Sequence, residues 1–388
     1  MTASVRHPAE RLLRRVHFSS IGLFTAAMML IAVLVALGLS SILISATGGS
    51  PVDSVHALYN GSMADSTGWT TTLLNTGPLL LVAAGTCVSA RSGTFNIGQE
   101  GQVLIGAFAG AVVGLRLNLH GPMLAVLVLI AAAAAGGAWA GLSALMLRWR
   151  GVNVAVSTLL MIFVAQQVVS YAVSSSWFLQ ETATGSGIAN PESNQLPADA
   201  QLRTYGQYPH LQLNVGLFLA ILAALVASVV LTRTRWGFRV KLVGLNPLAA
   251  QHAGVRVAAL GGLALAISGA FAGLGGALLL TSPIGTNRLS PGVSQNVGWD
   301  GLLVALVARN RPLVAAPVAL LFGVLRAGGN FLAATGVPSY VVDVTKALLV
   351  LAFVAPPVLV DAVRQRRNAS GTPPSLPQPV APKAEVAA

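Results

Sequence analysis

The chain has 388 residues, of which 54% are hydrophobic and 9% charged, with a net charge of +12 and a mean hydropathy of +0.73. Soluble domains keep about a quarter of their residues charged, so a water-facing globule is excluded and a polytopic membrane protein is implied. The basic excess falls in short clusters between apolar runs, as in cytoplasmic loops, which argues against a nucleic-acid partner. The single cysteine, Cys87, excludes an intrachain disulfide.

From the N-terminus, Arg6, Arg11, Arg14 and Arg15 precede an apolar stretch, Ile21–Ser45. That stretch is longer than the about 7–15 apolar residues of a cleaved signal. It is read as a retained first helix after a cytoplasmic segment, 1–20. The external segment 46–69 contains PVDSVHALYN and reads as a short interfacial helix, so 21–69 forms an extra N-terminal unit. Runs of about 20 apolar residues mark spans, and shorter runs are allowed where Gly or Pro interrupts. They fall at 21–45, 70–90, 102–118, 122–147, 152–174, 212–232, 256–280, 298–309, 312–332 and 339–361, ten in all. The main transmembrane domain is then 70–361. The tail, 362–388, is rich in Pro, Ala and Ser and is expected to be disordered and cytoplasmic.

With the N-terminus inside, the inner segments hold Arg91; Arg148 and Arg150; Arg233, Arg235, Arg239, Lys241 and Arg256; Arg309 and Arg311; and Arg364, Arg366, Arg367 and Lys383. Arg116, Arg203, Arg288, Arg326 and Lys346 are the exceptions. The bias fits ten spans with both termini cytoplasmic. The longest outer loop, 175–211, carries Glu181, Glu192, Asp199 and Arg203.

A repeat organises this chain. Asn96-Ile97-Gly98-Gln99-Glu100-Gly101 precedes the third span, and Asn296-Val297-Gly298-Trp299-Asp300-Gly301 opens the eighth. Gly121-Pro122-Met123-Leu124-Ala125 is echoed by Arg311-Pro312-Leu313-Val314-Ala315. In this topology one copy lies near the inner face and the other near the outer face. The expectation is two inverted five-helix repeats, about 70–174 and 256–361, with discontinuous helices whose breaks meet at a substrate pathway. Asn96, Gln99, Glu100, Asn296, Trp299 and Asp300 are the pathway candidates. Backbone groups freed by a broken helix also need polar partners, so support of the breaks stands as an alternative or a companion role.

The inner loop 233–255 reads RTRWGFRVKLVGLNPLAAQHAGV. Asn246 as N-cap and Pro247 in the first turn start a short helix that Gly254 stops. It serves either as a docking element or as a connector. His252 has no metal ligand at suitable spacing, so no metal site is expected. Asp343 and Lys346 lie one turn apart and can pair, with Arg326 as a third member. The small-residue runs 131–138 and 269–277 suit close helix packing. No G-x-x-x-x-G-K-[S/T] loop is present, so the chain binds no ATP by that route, and no hydrolase elbow suggests an enzyme.

FNIGQEGQVLIGA, GVNVAVSTLLM, VGLNPLAAQHAGV and GWDGLLVALVARNRP, in this order, resemble the permeases of ATP-binding-cassette importers for nucleosides and simple sugars. This is the family that also serves branched-chain amino acids, and the resemblance covers about 70–361. It implies a bacterial inner-membrane subunit that needs no cofactor and imports a small polar solute. Its implied partners are a cytoplasmic ATPase, a second permease in a heterodimer, an extracytoplasmic solute-binding protein and membrane lipid. By the resemblance 244–254 is the coupling helix, with Asn246, Pro247, Ala250, Gln251, His252 and Gly254 at its ATPase-coupling positions. Val154 and Ile162 stand where nucleoside-type permeases carry Glu and Asn, which favours a sugar or another polar solute over a nucleoside. The competing reading is an ion-coupled secondary transporter, which shares inverted repeats but needs no docking helix.

Overall fold

The computed structural model describes residues 28, 30–182, 189–207, 210–283, 285–334, 340–341, 343–345, 347–348, 351–352 and 355–356. The chain divides into two compact units, residues 1–43 with 343–388, and residues 44–342. In the first unit the described residues run mainly along helix α1 (Leu30–Ala46), whose last residues belong to the second. Leu30, Ile31, Leu34 and Val35 are all exposed, a wholly apolar surface of the kind lipid covers.

Among the described residues of the second unit, regular structure is helical apart from a 3-10 turn (Ala198–Ala200), a two-residue antiparallel pair, β1 (Thr204–Tyr205) with β2 (Leu213–Asn214), and a single bridge between Gln180 and Ser193. Six of its described helices are long and apolar enough to cross a membrane. They are α3 (Ser66–Arg91), α5 (Pro122–Arg150), α6 (Val154–Ser174), α7 (Val215–Arg233), α10 (Val257–Thr281) and α12 (Pro312–Ala334). The third and eighth spans read from the sequence are α4 (Gln99–Arg116) and α11 (Val297–Val307). Neither matches those six: α4 opens on Gln-Glu-Gly-Gln, and α11 has only 11 residues. The tenth, 339–361, lies largely outside the described residues, as do residues 1–27 and the tail from 357. The short helix expected in 46–69 is α2 (Pro51–Ser62), with Pro51 at its start and Ser50 accepting from the Asp53 N–H at 3.3 Å.

Local chemistry sets many of the ends. Asp65 caps α3, Asn153 caps α6 and Asn214 caps α7, each accepting a backbone N–H of the first turn. Helix α5 starts at Pro122 and ends at Gly151, whose φ of 67° is left-handed, the usual glycine stop.

Helix α3 is the central post, with Leu79, Leu80, Leu81 and Val82 essentially without exposure. In contrast α5, α6 and α7 bury only one side and show apolar residues such as Ile130, Phe163 and Leu222 outward. Helix α10 packs on α5, α4 and α3, and α3 packs in turn on α12, α7 and α11. The two small-residue runs meet at the α5–α10 contact. A Cβ on Gly273 would fall 2.1 Å from the Ala132 carbonyl oxygen, and one on Gly269 2.3 Å from that of Gly136. Water supplies no drive between apolar helices in lipid, so backbone-to-backbone approach of this kind is what holds them.

Candidate functional site

Two loops interrupt the helices. Residues 92–98 lead from α3 into α4, and residues 282–296 lead from α10 into α11. Each loop ends in one copy of the repeated motif.

In the first copy the side chains bind one another and three neighbouring helices. The amides of Asn96 and Gln102 pair reciprocally, at 2.9 and 3.0 Å. Asn96 Nδ2 also donates to Ser268 Oγ of α10 at 3.1 Å, and Asn96 Oδ1 accepts the Gly98 N–H at 3.0 Å. Gln99 Nε2 donates to Thr86 Oγ1 of α3 at 2.6 Å, and the Ile97 N–H donates to Thr158 Oγ1 of α6 at 3.2 Å. Asn96, Gln99, Gln102, Thr86, Thr158 and Ser268 are each no more than 1% exposed. Backbone freed by a helix break must find partners where water is excluded, and this knot provides them.

The second copy begins on a left-handed residue, Asn296, with φ 64°. Its Gly298 N–H donates to Glu100 Oε2 at 2.8 Å, and Ser294 Oγ donates to Glu100 Oε1. The two copies of the motif are therefore in direct contact. A Cβ on Gly298 would lie 2.3 Å from the Glu100 backbone, so no side chain fits there. The first turns of α4 and α11 abut, and each carries about half a positive charge from its aligned peptides. The Glu100 carboxylate sits between them and compensates both ends.

Asp300, in the first turn of α11, pairs with Arg326 Nη1 of α12 at 2.7 Å. The same guanidinium donates to the Gln295 carbonyl at 2.9 Å and to Gln295 Oε1 at 3.3 Å, while its Nε is buried without a partner among the described residues. Arg326 is thus committed to the motif rather than held only for Asp343 and Lys346; Lys346 lies outside the described residues. Of the six pathway candidates, Asn96, Gln99, Glu100 and Asp300 are buried, Trp299 is half-buried and Asn296 is exposed.

The cytoplasm-expected element forms two short helices, α8 (Arg235–Leu245) and α9 (Pro247–His252). Asn246 caps α9 by accepting the Ala249 N–H at 3.0 Å, Pro247 is its first residue, and Gly254 ends the turn at φ 76°. Leu248, Gln251 and His252 are exposed, with Leu248 at 69%, whereas Ala250 is fully buried against its own chain. Helix α8 in turn rests on the start of the first loop: a Cβ on Gly244 would meet the Arg91 carbonyl oxygen at 2.3 Å. Val154 and Ile162 are buried, and Ile162 backs onto Gly101 of the first motif copy, where a Cβ would stand 3.0 Å from its Cα.

Sequence reading missed Thr86, Thr158 and Ser268, which complete the knot, and Ser294, which binds Glu100. For Thr86, Thr158 and Ser268 the only signal is a small polar residue inside an apolar span; Ser294 lies in the loop before α11. It also missed Arg288, whose Nη1 lies 2.6 Å from Glu181 and 3.6 Å from Glu192. These partners are about a hundred residues away, on the long outer loop.

Residues 69–355 match the family described as branched-chain amino acid transport system / permease component. A glucose ABC transporter permease protein of Haloferax volcanii is 32% identical over 83% of this chain and 85% of its own length. A guanosine ABC transporter permease protein of Bacillus subtilis is 32% identical over 84% of this chain and 92% of its own. A nucleoside ABC transporter permease protein of Lactococcus lactis is 27% identical over 88% and 93%. No solved structure matches.

Proposed function

Since this chain belongs to the family of branched-chain amino acid transport system permease components, we propose that it forms, with a second permease, the membrane pathway for a nucleoside or a simple sugar. It is a multi-pass plasma-membrane subunit of an ATP-binding-cassette importer and leaves ATP hydrolysis to a separate subunit. The contact between the two motif copies, with Glu100 holding Gly298 at 2.8 Å, is the observation that carries the pathway reading. Broken helices that abut end to end form a joint about which two halves can rock, and transporter sites cluster at such joints. The similar glucose and guanosine permease proteins set the solute class.

The pathway residues are Asn96, Gln99, Glu100, Asn296, Trp299 and Asp300. Trp299 and Asn296 face the solute, and the buried four form the wall behind them. The reciprocal packing, α10 on α4 and α5 against α3 on α11 and α12, supports an inverted repeat with five spans in each half. The basic inner segments support ten spans with both termini in the cytoplasm. The ATPase docks on α9 through exposed Leu248, Gln251 and His252. Asn246, Pro247 and Gly254 shape that helix, and Ala250 seats it. A solute-binding protein delivers to the opposite face. Uptake should stop when the ATPase subunit is deleted and persist when the proton gradient is collapsed. The reverse result would make the protein an ion-coupled transporter.

A further inference from the structure

Beside the joint lies a cleft of about 180 Å³ that the motif does not include. Its walls are the middle of α3 (Leu74, Asn75, Pro78), the end of α10 and the loop running to Gln295. The walls are held from behind. Asn287, at φ 54°, donates to the carbonyls of Leu280 and Ser282, both at 3.1 Å. The outer loop is stitched on by the Ser193 N–H to the Leu289 carbonyl at 2.9 Å and the Leu196 N–H to the Asn287 carbonyl at 2.9 Å. Gln295 is clamped by Arg326. This cleft is a preformed recess rather than a gap between mobile segments.

Its polar atoms are unusually free. Asn75 spends Nδ2 on the Thr71 carbonyl at 2.9 Å, leaving Oδ1 as an acceptor. Gln295 spends Oε1 on Arg326, leaving Nε2 as a donor. Ser290 Oγ, Asn75 Oδ1 and Gln295 Nε2 have no partner among the described residues. Pro78 has no N–H to give the Leu74 carbonyl one turn back, which adds an acceptor to the same wall. Donors and acceptors so interleaved suit hydroxyl groups, each of which is both.

Charge and shape narrow the ligand. Arg288 lies between Glu181 and Glu192, and Arg326 is matched by Asp300. Among the described lining residues no cation is left to hold a phosphate or a carboxylate, which suits a neutral solute. Among the described residues no Phe, Tyr or Trp lines the cleft, so a nucleobase finds no ring there to stack on, a contact worth about 1–3 kcal/mol per base where it occurs. The volume is below the roughly 300 Å³ at which pockets for drug-sized ligands begin, which fits one ring. We propose that this cleft is a solute site of the permease itself, taking a neutral polyhydroxylated ring: a monosaccharide, or the ribosyl part of a nucleoside. This rests on the importer reading above and adds where, and by which part, the solute is held.

The chain's single cysteine, Cys87, is fully buried, so Ser290→Cys creates a thiol that reports on the cleft. In the purified, assembled transporter, its rate of labelling by a small maleimide is measured with D-glucose, guanosine, guanine or glucose 6-phosphate. Labelling should slow several-fold with glucose, with guanosine or with both, and stay unchanged with guanine and glucose 6-phosphate. Protection by glucose alone identifies a free sugar, and protection by guanosine identifies a nucleoside held by its ribose. The concentration for half-protection should rise about fivefold when Gln295→Ala is added, the loss of one hydrogen bond. Equal labelling under all conditions in a transporter that imports glucose or guanosine overturns the proposal. So does protection by guanine, or equal protection of a Ser176→Cys control on the outer loop, which would report global closure. The two readings fail separately: protection without ATP-driven uptake would overturn the importer reading and leave the cleft.

Discussion

Glu100 and Gly298 stand 198 residues apart, and the carboxylate of one accepts the backbone N–H of the other at 2.8 Å. The pair joins the first turns of α4 and α11, so a single side chain holds both copies of the motif. It also gives the acidic residue at this place a physical reason: two positive helix ends meet in a buried site, and one carboxylate compensates both.

That reason makes a mutational test specific. Glu100→Gln keeps the size but removes the charge and sets an amide donor against the Ser294 and Gly298 donors. Hydrogen bonds to charged groups contribute about 1.5–3 kcal/mol. Melting of the purified protein in detergent should therefore fall in parallel with uptake. A loss of uptake with unchanged melting would instead place Glu100 in contact with solute.

Arg326→Gln should be more damaging than its place outside the motif suggests. The Arg326 and Asp300 side chains are 8% and 11% exposed. Removing one partner of a buried ion pair costs about 3–5 kcal/mol, because the other charge is left stranded. Adding Asp300→Asn should recover much of the lost thermal stability, as a double-mutant cycle would show. Additive losses would mean that the two residues act independently.

Gly273→Val tests the α5–α10 seam. A Cβ at 2.1 Å from the Ala132 carbonyl oxygen cannot be accommodated without separating the helices. Overpacking usually costs about 1–3 kcal/mol, and a backbone obstacle yields less than a side chain does. Folded yield and melting temperature should drop sharply. Gly141→Val, on the same helix as Gly136 but with open space around it, should be tolerated.

The docking surface separates two substitutions on one helix. Leu248→Glu changes an exposed side chain, so it should release the ATPase in a pull-down while the permease melts normally. Ala250→Glu puts a charge where the helix sits on its own chain, so it should release the ATPase only together with a local loss of permease stability. Normal ATPase recovery with Leu248→Glu would make α9 a connector rather than a coupling element.

The sequence alone determined the membrane class, the position of most helices and the recurrence of the N-[I/V]-G-x-[E/D]-G motif. A bilayer demands long apolar runs and excludes unpaired backbone, and these demands are written locally. Short-range signals were equally legible: Asn246-Pro247 capped a helix, and Gly121-Pro122 began one. What only the tertiary structure decided was which polar groups meet. Asn96 finds Ser268, Gln99 finds Thr86, Asp300 finds Arg326, and Arg288 finds Glu181, across 13 to 172 residues. The same holds for Ala250, a coupling position by resemblance, whose burial against its own chain only the tertiary structure gives. The physical reason is that helices in lipid are apolar on every side. No hydrophobic stripe marks the face toward the protein, so the pattern along the chain locates a span without telling which neighbour each of its polar residues will touch.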